Sequence, residues 1–151
     1  MRALVVDDDD AFRTLVVALL AEVADVVEQA ADGDVALQLA RDLRPDLIVM
    51  DITMPRMDGI TAARAILAVH PRARIVFLSG TETVKKLSEA SAYGVVIEKN
   101  VIDLRAELLA AAAKAPSRES RRFCRSSSSA AIIAVLLLCA FRLSRRAIRR
   151  A

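Results

Sequence analysis

Short apolar runs recur through the first hundred residues, and each is followed by a segment whose apolar side chains fall at helical spacing. Residues 3–6 (Ala-Leu-Val-Val) stop at Asp7, residues 47–50 (Leu-Ile-Val-Met) at Asp51, and residues 75–78 (Ile-Val-Phe-Leu) at Ser79. Residues 95–97 (Val-Val-Ile) run out near Lys99. Runs this short and this apolar read as strands buried on both faces. Residues 25–29 read as one further, more exposed strand. Between the strands, Phe12, Leu15, Val16, Leu19 and Leu20 repeat at helical spacing behind Asp10, the expected N-cap. Asp32-Gly33-Asp34 opens a second helix whose apolar positions are Val35, Leu37, Leu39 and Leu43, and Pro45 ends it. A third helix is expected over residues 60–69, capped by Asp58 and stopped by Pro71. A weaker fourth is expected over residues 82–92, and an Ala/Leu-rich fifth over residues 101–114. Strand and crossover helix, repeated five times, imply an α/β fold with a parallel sheet covered on both faces. Only 3% of residues are aromatic, so Ala, Val, Leu and Ile must fill the core.

The chain's net charge of +3 hides a division. Residues 1–115 carry 13 Lys/Arg against 18 Asp/Glu, whereas residues 116–151 carry 9 Arg against the single Glu119. The alternating part is therefore acidic and does not attract nucleic acid through its own field. Both cysteines, Cys124 and Cys139, lie in the tail, so the first part needs no disulfide. Met1 is followed closely by four consecutive Asp, unlike a secretory signal, and a cytoplasmic location is expected.

The organisation expected is a domain over residues 1–115, an Arg/Ser-rich linker over 116–129, and an unassigned apolar segment with a basic end over 130–151. Residues 126–141 form a stretch of 16 uncharged residues, four of them Ser. As a helix it would span roughly 24 Å, short of the about 20 apolar residues a membrane span usually takes. Three readings of the tail stay open: a membrane tether through residues 126–141, an extra helix packed on the domain or on a second copy, and the product of a shifted frame or truncated gene. It has one apolar block and no helix-turn-helix periodicity, so no specific nucleic-acid binding is expected.

In an open parallel sheet, ligands bind beyond the carboxyl ends of the strands. Asp7, Asp8, Asp51, Ser79 and Lys99 all fall there. Clustered carboxylates raise each other's pKa unless a cation lies among them. A hard divalent ion such as Mg²⁺ suits a site with few oxygen ligands and several waters. It can also offset the charge of a phosphoryl oxygen. Lys99 would neutralise a further oxygen, Ser79 would donate a hydrogen bond, and Asp51 could act as a nucleophile forming an acyl phosphate.

Across residues 1–115 the sequence resembles a response-regulator receiver domain of two-component systems. The resemblance rests on Leu4-Val5-Val6-Asp7-Asp8-Asp9, on Arg44-Pro45-Asp46 with the run ending at Asp51, on Ile52-Thr53-Met54-Pro55-Arg56-Met57-Asp58-Gly59, on residues 75–80 and on Lys99. It implies a flavodoxin-like, doubly wound (βα)5 sheet in strand order 2-1-3-4-5. It implies phosphorylation of Asp51 by a sensor histidine kinase or phosphotransfer protein, with Mg²⁺ held by Asp7, Asp8, Asp51 and the backbone carbonyl of Thr53. Ser79 would be the switch hydroxyl and Lys99 the phosphoryl contact. The output partner, not identified by the sequence, would meet the face formed by the fourth helix, fifth strand and fifth helix, and a homodimer is compatible with the same reading. The chain would catalyse only its own phosphorylation and dephosphorylation. The sequence departs from the family at Val96, where an aromatic residue is common, and at Asn100, where a proline in a cis peptide is common. A receiver-shaped interaction module that works without phosphorylation is the alternative. A dehalogenase-like phosphatase is disfavoured because Thr53 replaces the second Asp of its Asp-x-Asp motif.

Overall fold

The computed structural model describes residues 1–80, 82–99 and 101–114. The linker and apolar segment expected over 116–151, and the Lys99–Asn100 peptide, lie outside the described residues. Strands β1 (Arg2–Val6), β2 (Val26–Ala30), β3 (Leu47–Asp51), β4 (Arg74–Ser79) and β5 (Val95–Glu98) alternate with helices α1 (Asp10–Leu20), α2 (Gly33–Leu43), α3 (Gly59–Val69), α4 (Val84–Ser91) and α5 (Val101–Ala113). All pairings are parallel and the order is β2-β1-β3-β4-β5. The doubly wound five-stranded sheet expected from the sequence is therefore the fold.

Side chains alternate across each strand, so every buried strand feeds two cores. Leu4, Val6, Ile48, Met50, Ile75 and Phe77 pack with Ala36, Ala40, Ala63 and Ile66 of α2 and α3. Ala3, Val5, Leu47, Val49, Val76, Leu78 and Ile97 pack with Val16 and Leu20 of α1 and Leu104 and Leu108 of α5. Burying each Leu or Ile of this kind stabilises the fold by roughly 1.5–3 kcal/mol. β3 lies at the centre and is buried along its whole length.

Two details differ from expectation. The cap of α1 is Asp9, not Asp10: the Asp9 carboxylate accepts hydrogen bonds from the N–H groups of Ala11 (2.9 Å) and Phe12 (3.1 Å). Asp10 is the first helical residue and pairs with Arg13. On α2 the buried stripe is Gly33, Ala36 and Ala40, whereas Val35 is exposed. Small residues there let the helix approach the sheet. α2 ends on Arg44 in a left-handed conformation (φ 47°), just before Pro45. α3 begins at Gly59 with Asp58 as its cap, as the sequence indicates. Among the described residues no helix is long and apolar enough to cross a membrane.

Candidate functional site

The sheet register builds the site. Val6 pairs with Met50, so the next residues, Asp7 and Asp51, leave adjacent strands at the same level. Asp7 and Asp51 continue the side-chain phase of Val5 and Val49, and Lys99 continues that of Ile97; all three reference residues face the α1/α5 core. Lys99 is anchored by its own N–H, which donates to the Ser79 carbonyl at 2.8 Å. Its Nζ lies 2.9 Å from Asp7 Oδ2 and 2.9 Å from Asp51 Oδ2. The ring of Phe12 lies 4.7 Å from the same ammonium, so an aromatic face supports it from a third side.

Asp7 is fully buried. Its Oδ1 accepts from the Asp9 N–H at 3.0 Å, and its carbonyl accepts from Arg13 Nη1 at 2.6 Å. Asp51 is only 6% exposed, and its Oδ1 accepts from the Thr53 N–H at 3.3 Å. Burial pushes the Asp51 carboxyl above its ordinary range; Lys99 and the Thr53 N–H oppose that shift, and Asp7 adds to it. Burial works against the Lys99 ammonium, yet the bonds to Asp51 and Asp7 more than offset it and hold its pKa above the ordinary lysine value. Two carboxylates and one ammonium thus share a partly dry site, and each buried group faces a partner of opposite charge.

One oxygen from each of Asp7, Asp8 and Asp51 lies within 4.8 Å of the others. Hard carboxylate oxygens, two buried and one exposed, fit a Mg²⁺ ion that keeps part of its water shell. Asp8 supplies the exposed one, so an ion can enter from solvent.

The loop after β3 is held at both ends. An ideal Cβ on Gly59 would lie 2.0 Å from the Asp51 carbonyl oxygen, so α3 starts in direct contact with the backbone of Asp51. Gly59 is required by this approach and not by its torsion, because no glycine has positive φ. At the other flank Arg56 Nε donates to Asp32 Oδ2 at 2.8 Å. The Asp34 N–H and this guanidinium hold the Asp32 carboxyl below its usual range.

Ser79 is buried, but its hydroxyl donates to Glu82 Oε2 at 2.6 Å. It continues the phase of Phe77, which faces the α2/α3 core, while Asp51 and Lys99 follow the other phase. Glu82 also lies 3.5 Å from the Thr53 hydroxyl, which in turn lies 3.4 Å from Lys86 Nζ. Sequence reasoning did not find Glu82, Phe12, Arg13 or Arg56 as site neighbours. A single loop carboxylate carries no periodic signal, and Phe12 reads only as an apolar helix position. His70 is buried after α3, with Nε2 3.0 Å from the Pro45 carbonyl.

The family model for the response regulator receiver domain matches residues 3–111. A protein-glutamate methylesterase/protein-glutamine glutaminase of Alkalilimnicola ehrlichii is 48% identical over 83 residues, which are 54% of this chain and 21% of that protein. The chain thus spans about a fifth of that relative's length. The response regulator domain of Thermotoga maritima CheB has a similar structure, with TM-score 0.66 and 30% identity over 76% of this chain and 95% of that one. The receiver domain of the Arabidopsis thaliana histidine kinase CKI1, complexed with Mg²⁺ and BeF₃⁻, gives TM-score 0.64 and 28% identity over 75% of this chain and 90% of that one.

Proposed function

The chain belongs to the response regulator receiver domain family, and we propose that it is a phosphorylation-dependent switch that accepts a phosphoryl group on Asp51. One observation carries this reading: Lys99 Nζ lies 2.9 Å from the carboxylates of both Asp7 and Asp51 at the carboxyl edge of the sheet. A sensor histidine kinase or phosphotransfer protein is the proposed donor. An Asp51 carboxylate oxygen attacks phosphorus, the P–N bond to the donor imidazole breaks with its electron pair staying on nitrogen, and a proton from solvent completes the neutral imidazole. Asp51 keeps the phosphoryl group as an acyl phosphate. Asp7, Asp8, Asp51 and the Thr53 carbonyl would hold Mg²⁺, which when bound offsets phosphoryl charge; the Mg²⁺ in the similar CKI1 receiver supports this choice of ion.

The residues of the chain then have separate tasks. Lys99 is placed to give one donor to a phosphoryl oxygen while another stays on Asp7. The Thr53 N–H orients the carboxylate, and the Gly59 contact fixes its backbone. Such transfer is mostly positioning and charge stabilisation. Ser79 would then turn toward the phosphoryl group, and the change would be read on α4, β5 and α5, where Val84 and Val95 are exposed. The chain's only proposed catalysis is gain and loss of its own phosphoryl group. Incubation with Mg²⁺ and acetyl phosphate tests the reading. Intact mass gains one phosphoryl group in the wild type and none in Asp51→Ala; an unchanged wild-type mass under conditions that load a control receiver contradicts it.

A further inference from the structure

The switch role of Ser79 requires its hydroxyl to reach a phosphoryl group on Asp51. In the structure that hydroxyl is already committed, donating to Glu82 Oε2 at 2.6 Å. A serine hydroxyl has one hydrogen to give. Ser79 is only 3% exposed, so solvent is a poor substitute partner. A hydroxyl-to-carboxylate bond is also charge-assisted, roughly twice as strong as a neutral one. The second oxygen of Glu82 faces the Thr53 hydroxyl at 3.5 Å, so this carboxylate lies between the end of β4 and the loop leaving Asp51.

We propose that Glu82 is a positioning residue that latches Ser79 in its resting orientation, so that the carboxylate of Glu82 and the phosphoryl group on Asp51 compete for one hydroxyl. The proposal rests on the reading of Asp51 as phosphoacceptor. Glu82 neither attacks nor carries the phosphoryl group; it sets how far the phosphorylated state must be favoured before Ser79 moves. Removing it frees the hydroxyl in advance, which raises occupancy of Asp51 and slows loss of the group. The latch acts only through Ser79, which separates it from plain repulsion between Glu82 and an incoming anion.

The test uses the full chain with Mg²⁺ and acetyl phosphate, following intact mass to steady state. Glu82→Ala is expected to raise the ratio of phosphorylated to unmodified protein roughly two- to tenfold. Glu82→Gln keeps a neutral acceptor and is expected to fall between Glu82→Ala and wild type. In a Ser79→Ala background, Glu82→Ala is expected to change nothing. Thermal unfolding of each variant checks the fold, and Glu82→Gln carries the comparison should the alanine variant unfold. Two results overturn the latch alone: wild-type occupancy in both Glu82 variants, or a Glu82→Ala effect that persists without the Ser79 hydroxyl. A wild-type chain that takes no phosphoryl group overturns the phosphoacceptor reading, and the latch with it.

Discussion

Replacing Gly59 by alanine tests how Asp51 is held. The added Cβ would lie 2.0 Å from the Asp51 carbonyl oxygen, 3.0 Å from its carbonyl carbon and 3.2 Å from Ile52 Cα. The nearest atom is backbone, so no side chain can swing away. Relief requires α3 and the end of β3 to separate by about an ångström, in a region packed as densely as a crystal. The bond from the Gly59 N–H to the Ile52 carbonyl, now 3.0 Å, lengthens with it. Overpacking of this kind costs about 1–3 kcal/mol. The better helix propensity of alanine returns less than about 1 kcal/mol. The expected net loss is about 1–2 kcal/mol in urea unfolding. The same shift displaces Asp51 relative to Lys99 and Asp7. A misplacement near 1 Å can slow a positioned reaction by about a hundredfold, so phosphorylation by acetyl phosphate should fall at least about tenfold. Stability within about 0.5 kcal/mol of wild type, together with an unchanged rate, would refute the steric argument.

Further outcomes follow from the same geometry. Lys99→Gln leaves Asp7 and Asp51 without their shared cation; it should abolish detectable phosphorylation and lower stability at neutral pH by about 1–3 kcal/mol in urea unfolding, less than for a fully dry pair because water reaches the site. Mg²⁺ at ten times its Kd should add about 1.4 kcal/mol to wild-type stability, seen as a rise in Tm that Asp8→Asn reduces and EDTA removes. Burial works against the Asp58 carboxylate, but the N–H and hydroxyl of Thr61 outweigh it and hold the group below its ordinary value of 3.8. Its stabilisation is therefore present above the unfolded-state pKa and lost as pH falls through the lower folded-state value. Asp58→Ala should cost about 1 kcal/mol at neutral pH, and urea unfolding should show the gap closing as pH is taken well below 3.8.

The sheet was legible because four of its five strands hold an unbroken apolar run that stops at or near a polar residue, and the ends of those runs gather the site. Asp7, Asp51 and Lys99 could be read from position alone, since parallel register brings their strand ends level. The α1 cap was not legible in the same way. Four consecutive aspartates offer the helix four starts, and the one used is Asp9, whose backbone is extended and whose carboxylate accepts from the N–H groups of Ala11 and Phe12. On α2 Leu37 and Leu39 pack against the core as expected, but Ala36 and Ala40 were missed and Val35 is exposed, because alanine gives a weak apolar signal. The need for glycine at position 59 was not legible, because a close backbone approach leaves no mark in the sequence that differs from a turn glycine. The hold of Glu82 on Ser79 depends on a loop conformation and on strand phase at the end of β4, and neither appears in composition or periodicity.

Asp51, alone among the three clustered carboxylates, is the proposed acceptor of the phosphoryl group. Borohydride reduction after phosphorylation measures this directly, because hydride converts an aspartyl phosphate into homoserine at the position that carried it. Peptide mass mapping should find homoserine at position 51 with Asp7 and Asp8 intact. Homoserine at position 7 or 8 instead, or at none of the three after the intact mass has risen, would contradict the claim.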